Sequence, residues 1–98
     1  MRRKLLVNAV KYAGLDLPPD ADIVMTVRRT AGLTDWDASA TVQGVFQIPV
    51  SGEFAGRTPM GPVSGAAVAS YWVSASDAGP RTTISWRGDG PISLPDDD

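Results

Sequence analysis

The clearest pattern in the chain is an alternation of apolar and polar positions that begins at residue 23. Ile23, Met25 and Val27 alternate with neighbours that are mostly more polar. This period of two predicts a β-strand whose three apolar side chains face the core. Residues 30–38 lack the alternation, so we expect them to form a loop that holds Trp36.

A second alternating run follows and predicts another strand. Its other face is mostly polar, and Pro49 is expected to end the pairing because proline has no backbone N–H to donate. The inward face carries four apolar residues and one glycine, namely Val42, Gly44, Phe46, Ile48 and Val50.

The last third of the chain predicts a β-hairpin around the turn sequence Asp77-Ala78-Gly79-Pro80. A strand register that separates apolar from polar side chains gives these cross-strand pairs: Ser76 with Arg81, Val73 with Ile84, and Tyr71 with Trp86. Tyr71, Val73, Ile84 and Trp86 are therefore expected to be buried together.

Trp72 is the exception on the polar face of this hairpin, where no core explains a large indole. Tryptophan is enriched among the residues that dominate binding energy at protein interfaces. The sequence therefore favours Trp72 as an interface anchor. The alternative is a hairpin covered on both faces, for instance by the N-terminal segment, which would place Trp72 in a second core.

The N-terminal segment and connector, residues 1–22, carry conflicting signals. Lys4, Asn8 and Lys11 are polar at helical spacing, opposite a group of apolar residues. No N-cap residue precedes them, and the cations near the start would oppose the helix dipole. A short helix is favoured over an edge strand, and Pro18-Pro19 predicts a connector after it.

Residues 51–66 contain four glycines and two prolines. Long loops in compact domains are usually functional or mobile. We therefore expect a long Gly/Pro-rich loop that reaches out from the core, with Arg57 and Met60 as candidate contacts to a partner.

These segments predict one mainly β domain that spans residues 1–98. About four to six antiparallel strands are expected, arranged as a small β-sandwich or barrel with a short N-terminal helix. Residues 95–98 are expected to form an acidic tail.

Composition argues against catalysis, because the chain has no histidine and no cysteine. These two side chains perform much of the proton transfer, nucleophilic attack and metal ligation of enzymes near neutral pH. Asp20 with Asp22, and Asp35 with Asp37, each place two carboxylates on a predicted loop. Neither pair continues into a calcium-binding loop, and Glu53 is the only glutamate. No catalytic residue, cofactor or metal ligand is therefore assigned.

Charge is polarised along the chain, although the net charge is only −2. A head-to-tail contact between subunits would bring the basic start and the acidic end together. The negative net charge argues against nucleic acid beyond weak backbone contact. No apolar run is long enough for a membrane span or a signal peptide, so a soluble protein of undetermined location is expected. The charged partner-binding candidates are Arg2, Arg3, Lys4, Asp96, Asp97 and Asp98.

Arg87-Gly88-Asp89 matches the tripeptide that integrins read. A three-residue match arises easily by chance in a chain rich in these residues. The following Gly90-Pro91 favours an ordinary turn at this position.

The sequence as a whole predicts a non-catalytic structural or assembly subunit that acts through protein–protein contacts. Its partners are expected to be copies of itself or neighbouring subunits, as in a connector, decoration or tail protein of a phage or virus particle. A monomeric inhibitor or adaptor is the alternative, and a small enzyme that uses only carboxylates is a third, weaker one.

Overall fold

The computed structural model describes residues 2–18 and 22–94, and all of its regular secondary structure is β. This described part contains no helix long and apolar enough to cross a membrane. The strands in chain order are β1 (Arg2–Tyr12), β2 (Leu15–Asp16), β3 (Asp22–Thr30), β4 (Leu33–Gln43), β5 (Ser51–Thr58), β6 (Gly61–Ser74) and β7 (Arg81–Ser93).

Six of these strands close into an antiparallel barrel. The order around it is β1-β3-β4-β7-β6-β5, and β5 pairs back onto β1. The short β2 pairs with the end of β1 as an additional strand. The expected small antiparallel barrel is therefore confirmed, with its core enclosed by one continuous sheet.

The core is built around a cluster of four buried aromatic rings. Trp86 meets Phe54 edge to face at 5.1 Å between ring centroids and meets Tyr12 in the same way at 5.8 Å. Trp36 packs against Phe54 at 5.3 Å. The strand alternation at the start of β3 is also confirmed, because Ile23, Met25 and Val27 are all buried.

The N-terminal segment is a strand, so the prediction of a helix is wrong. Ala9 has a φ of 53°, and the register of β1 on β5 shifts between Asn8 and Lys11. The buried side chains consequently fall at Val7, Val10 and Tyr12. The spacing of three between Val7 and Val10 imitates a helical period, and a β-bulge produces it by inserting an extra residue into the strand.

This irregularity also marks a change of partner along β1. Residues 2–7 of the strand pair with β3, whereas Asn8, Lys11 and Tyr12 pair with β5. The bulge therefore lies where β1 begins to close the barrel.

The loop predicted over residues 51–66 is also wrong, because these residues form β5, a tight turn and the start of β6. Arg57 pairs with Pro62, and Thr58 pairs with Gly61. Gly56 is required by packing, because a Cβ built there would lie 3.0 Å or less from side-chain carbons of Val7 and Val10. A glycine-rich segment can therefore be a strand where another strand packs closely against it.

Trp36 lies in β4 and is fully buried, so the loop predicted around it is wrong as well. The β3–β4 connection is a two-residue turn at Ala31-Gly32. Both residues have positive φ, 52° and 81°, as a type I′ hairpin turn requires.

The strand predicted over residues 42–50 ends early, at Gln43. Residues 44–50 pass irregularly from β4 to β5, which are not neighbours in the barrel. Thr82 holds the start of this segment by donating to the carbonyl of Gly44 at 2.8 Å. The Tyr12 hydroxyl donates to the carbonyl of Pro49 at 2.7 Å, and burial raises the pKa of this phenol.

The β6–β7 hairpin has the predicted strands but a different register. Ala69 pairs with Trp86, and Tyr71 pairs with Ile84. The shift is two residues, so the connection spans residues 75–80. Trp86 and Ile84 are buried as predicted, whereas Tyr71 is exposed, against the prediction.

A shift of two residues leaves every side chain on the same face, so the hydrophobic pattern does not distinguish the two registers. Polar contacts support the longer connection. The Gln43 amide donates to the carbonyl of Ala78 at 2.9 Å, and the Ser76 hydroxyl donates to the carbonyl of Gly79 at 2.6 Å.

The tripeptide Arg87-Gly88-Asp89 lies within β7, so the turn predicted there is wrong. A Cβ built at Gly88 would lie 3.0 Å or less from three ring atoms of Trp36. The glycine of this tripeptide thus has a packing reason to be there.

Candidate binding surface at the free edge of β6

The second half of β6 extends beyond the end of β5. Pairing between the two strands stops where Ser51 meets Val68, and one further backbone bond joins the N–H of Ala69 to the carbonyl of Val50 at 2.7 Å. Pairing with β7, in contrast, continues as far as Ser74. Residues 70–74, called the β6 edge below, therefore have a strand neighbour on one side only among the described residues.

The backbone of the β6 edge presents hydrogen-bonding groups to this open side. The N–H of Ala69 points toward β5, away from β7. Because backbone groups alternate sides along a strand, those of Tyr71 and Val73 point the same way. No described strand lies there to receive them.

Apolar side chains surround these free backbone groups. Trp72 is 57% exposed, Tyr71 40% and Val73 44%. Val50, whose carbonyl binds the start of this edge, is 72% exposed. Scattered exposed apolar residues are ordinary, but a contiguous group is typical of an interaction site.

Trp72 lies on the outer face of the barrel, so it is not part of a second core. It is opposite Thr83 in the sheet, and Thr83 is opposite Thr41, with their hydroxyl oxygens 3.3 Å apart. The positions next to Thr83 along β7, including Ile84, face the core and are buried. The indole therefore stands beside a row of hydroxyl groups on the outer surface.

The same outer face continues into a groove of about 530 Å³ across β4, β7 and β6. Ser39, Ser85 and Ser70 form one cross-strand row of its lining, while Asp37 and Arg87 belong to the next row. The groove begins next to the β6 edge, because Ser70 belongs to both.

The other candidate contacts lie far from Trp72. Met60 is exposed in the β5–β6 turn, and its sulfur accepts a hydrogen bond from the Arg3 guanidinium at 3.3 Å. Arg57 borders a second groove, of about 300 Å³, together with Lys11. Trp72 lies twelve positions after Met60 along β6, a path of about 40 Å at 3.3 Å per residue. The structure therefore divides the predicted partner contacts into two regions.

The basic start of β1 lies near an acidic cluster. Arg2 pairs across the sheet with Arg28, and Lys4 is exposed on the same strand. The Arg28 guanidinium donates to Asp37 at 2.6 Å and to Asp35 at 3.1 Å, and these hydrogen bonds raise its pKa. The predicted acidic partners, Asp96, Asp97 and Asp98, lie outside the described residues.

The hydrophobic pattern predicted that Tyr71 and Val73 are buried in the core, whereas both side chains are exposed. One sequence signal was available: no charged residue occurs between Arg57 and Asp77. Within the described residues, no group of three or more acidic side chains is arranged to hold a metal ion.

Comparison with known proteins adds no family to this geometry. No model of a protein family matches the chain, and neither a curated protein nor a solved structure does. Its function therefore has to be inferred from its own residues.

Proposed function

We propose that this barrel is a non-catalytic assembly subunit that acts through protein–protein contacts at the β6 edge. The observation that carries the proposal is the exposed indole of Trp72 on a strand whose outer backbone groups have no described neighbour. Tyr71 and Val73 add apolar area on the opposite face of the same strand. An edge of this kind is a ready template for pairing with another chain.

The composition supports a binding role over a catalytic one. The chain contains neither histidine nor cysteine, so it lacks the side chain most often used for general acid–base chemistry near pH 7 and the most reactive nucleophile. Partners in this proposal are copies of the chain or neighbouring subunits of an assembly, of which a phage or virus particle is one form. A monomeric adaptor that uses the same edge for one protein partner is the second candidate.

Trp72→Ala tests the proposal. An interface residue should lose self-association when truncated, because such residues contribute about 2 kcal/mol or more to binding. Its melting temperature should stay nearly unchanged, since the indole is exposed. Sedimentation velocity over a range of concentrations would measure association, and a thermal melt would measure stability.

Val45→Ala is the matched control, because Val45 is also an exposed apolar residue but belongs to the irregular segment after β4. We expect this variant to associate like the wild type. Equal association of the Trp72→Ala variant and the wild type would contradict the proposal. A drop of several degrees in the melting temperature of Trp72→Ala would contradict the role of the indole as an exposed anchor.

A further inference from the structure

We infer that the partner of the β6 edge is the same edge of a second copy, paired antiparallel about a two-fold axis at Trp72. This inference rests on the proposed function and names its first partner. Two six-stranded barrels would thereby join by a local β ladder between their β6 strands.

The free backbone groups define the register. In an antiparallel pair, residues whose N–H and C=O groups point at each other exchange two hydrogen bonds. If Tyr71 of one copy lies opposite Val73 of the other, this pair exchanges two hydrogen bonds. The equivalent pair on the other side of the axis exchanges two more, which gives about four in total. Trp72 then stands opposite its own copy as a close, non-hydrogen-bonded pair, in which side chains approach each other most nearly.

The side chains of the edge are complementary to themselves in this register. Ser70-Tyr71-Trp72-Val73-Ser74 reads polar, apolar, tryptophan, apolar, polar in both directions. Reversal about Trp72 therefore places serine against serine on the outer face and tyrosine against valine on the inner one. A two-fold contact requires such self-complementarity, because the same patch is presented by both copies.

Charge favours a second copy as well. Residues 58–76 contain no charged side chain, so two copies of the edge meet without like-charge repulsion. Edge strands that must stay single are often protected by lysine, proline or an inward-pointing charge. The β6 edge has none of these between Ser70 and Ser74.

The available length sets the strength of the contact. Val50 occupies the position next to Ala69, and the hairpin connection begins after Ser74. Pairing is therefore limited to five residues on each copy. Such a small contact fits a dimer that dissociates on dilution better than an obligate one.

Paired cysteine substitutions test the register, and the chain has no native cysteine to interfere. Ser70 of one copy should lie opposite Ser74 of the other as a non-hydrogen-bonded pair, within reach of a disulfide. We expect the Ser70→Cys, Ser74→Cys double variant to form a covalent dimer under mild oxidation. Each single variant should stay uncrosslinked, because identical residues would be about 13 Å apart along the strands.

Val73→Pro tests the backbone contact at one position. The N–H that proline removes points to the open side, so no hydrogen bond to β7 is lost and folding should be retained. We expect this variant to sediment as a monomer at concentrations where the wild type dimerises. Val73→Thr, which keeps the N–H and suits a strand, is the matched control and should still dimerise.

The outcomes separate this inference from the proposed function. Unchanged dimerisation of Val73→Pro, or no covalent dimer from the double cysteine variant, would overturn pairing through the β6 edge. If Trp72→Ala nevertheless abolished association, the indole would still be an interface anchor and the proposed function would stand. A wild type that stays monomeric at millimolar concentration would overturn the inference directly.

Discussion

At the scale of single residues, the core contains two buried indole groups whose N–H groups are not hydrogen-bonded within the described part of the chain. The ring nitrogens of Trp36 and Trp86 have no hydrogen-bond partner among the described residues. A buried N–H without a partner costs about 1–3 kcal/mol. These tryptophans therefore stabilise the barrel through buried ring area and contacts with neighbouring rings, against a polar penalty.

Trp86 is expected to tolerate a smaller aromatic ring far better than alanine. Trp86→Ala should lower the free energy of unfolding by about 3–5 kcal/mol, because it leaves a cavity beside Tyr12 and Phe54. Trp86→Phe should cost clearly less, since it retains a ring in the site and leaves a smaller cavity. Chemical denaturation would measure both variants, and equal losses would contradict this account.

Tyr12 links the stability of the barrel to pH. Burial raises the pKa of its phenol in the folded protein above the unfolded value of about 10. Below pH 10 both states keep the proton and the contribution of Tyr12 is fully present. As pH rises further the unfolded state loses its proton first, so folding stability declines.

Tyr12→Phe is expected to show two effects. It should lower stability at neutral pH by about 1 kcal/mol, the usual net value of the hydrogen bond that the hydroxyl donates to Pro49. The decline above pH 10 should also become shallower than in the wild type. Denaturant unfolding at pH 8 and at pH 11 would test this, and identical pH dependence would contradict it.

At the scale of elements, the β1–β2 and β3–β4 turns place an alanine, Ala13 and Ala31, where other residues fit better. Ala31 adopts a left-handed conformation in the β3–β4 turn, which costs an L-residue about 1–2 kcal/mol. Asparagine or aspartate followed by glycine is the usual signal for this turn, and Ala31-Gly32 does not carry it. The turn residues therefore did not predict this hairpin, which is stabilised by the packing of Trp36 and its neighbours.

Ala31→Gly should stabilise the protein by about 0.5–1 kcal/mol, because glycine adopts the left-handed conformation without a steric penalty. Ala66→Gly is a control in β6, where the alanine does not have a positive φ. That substitution should lower stability, since glycine gains only flexibility in the unfolded chain. Thermal melts of both variants would check the opposite signs, and destabilisation by Ala31→Gly would contradict this account.

The β5–β6 hairpin is expected to be essential for folding. Removing residues 56–61 would delete the β5–β6 turn and the pairing of Arg57 with Asn8, one of the three pairs through which β5 joins β1 and closes the barrel. We expect loss of the cooperative thermal transition, followed by circular dichroism. Shortening the exposed connection over residues 75–80 by two residues should be tolerated, because loop closure depends only weakly on length.

At the scale of the whole molecule, two surfaces of different character lie at the two ends of β6. One is the apolar β6 edge with Trp72, and the other is the polar region of Arg3 and Met60. Contacts through the β6 edge would depend on hydrogen bonds and apolar burial, whereas contacts through the charged start of β1 would depend on ion pairs. Salt therefore distinguishes them.

Self-association is expected to change little between about 0.1 and 1 M salt, over which the screening length falls from about 10 to 3 Å. Pairing through residues 70–74 involves no charged side chain, so screening has little to act on. Sedimentation at both salt concentrations would measure the dissociation constant. Marked weakening at high salt would instead support contact between the basic start, residues 2–4, and the acidic residues 96–98.

The sequence by itself determined the β class, the inward face of β3, the pairing of β6 with β7 and the exposed position of Trp72. These features follow from a period of two, which is a local property of the chain. The side of a strand that Ile23 or Trp72 occupies depends only on its parity, and parity survives a register shift of two.

Only the tertiary structure decided the register, the closure of the barrel and the length of each strand relative to its neighbours. The irregularity near Ala9 gave β1 a spacing that predicted a helix. Glycines such as Gly56 predicted a loop, although packing against a neighbouring strand is the reason for this glycine. Tyr71 and Val73 are exposed because β5 begins only at Ser51, which leaves the end of β6 without a neighbour on one side. The extent of a neighbouring strand is a non-local property, so no pattern within residues 70–74 could reveal it.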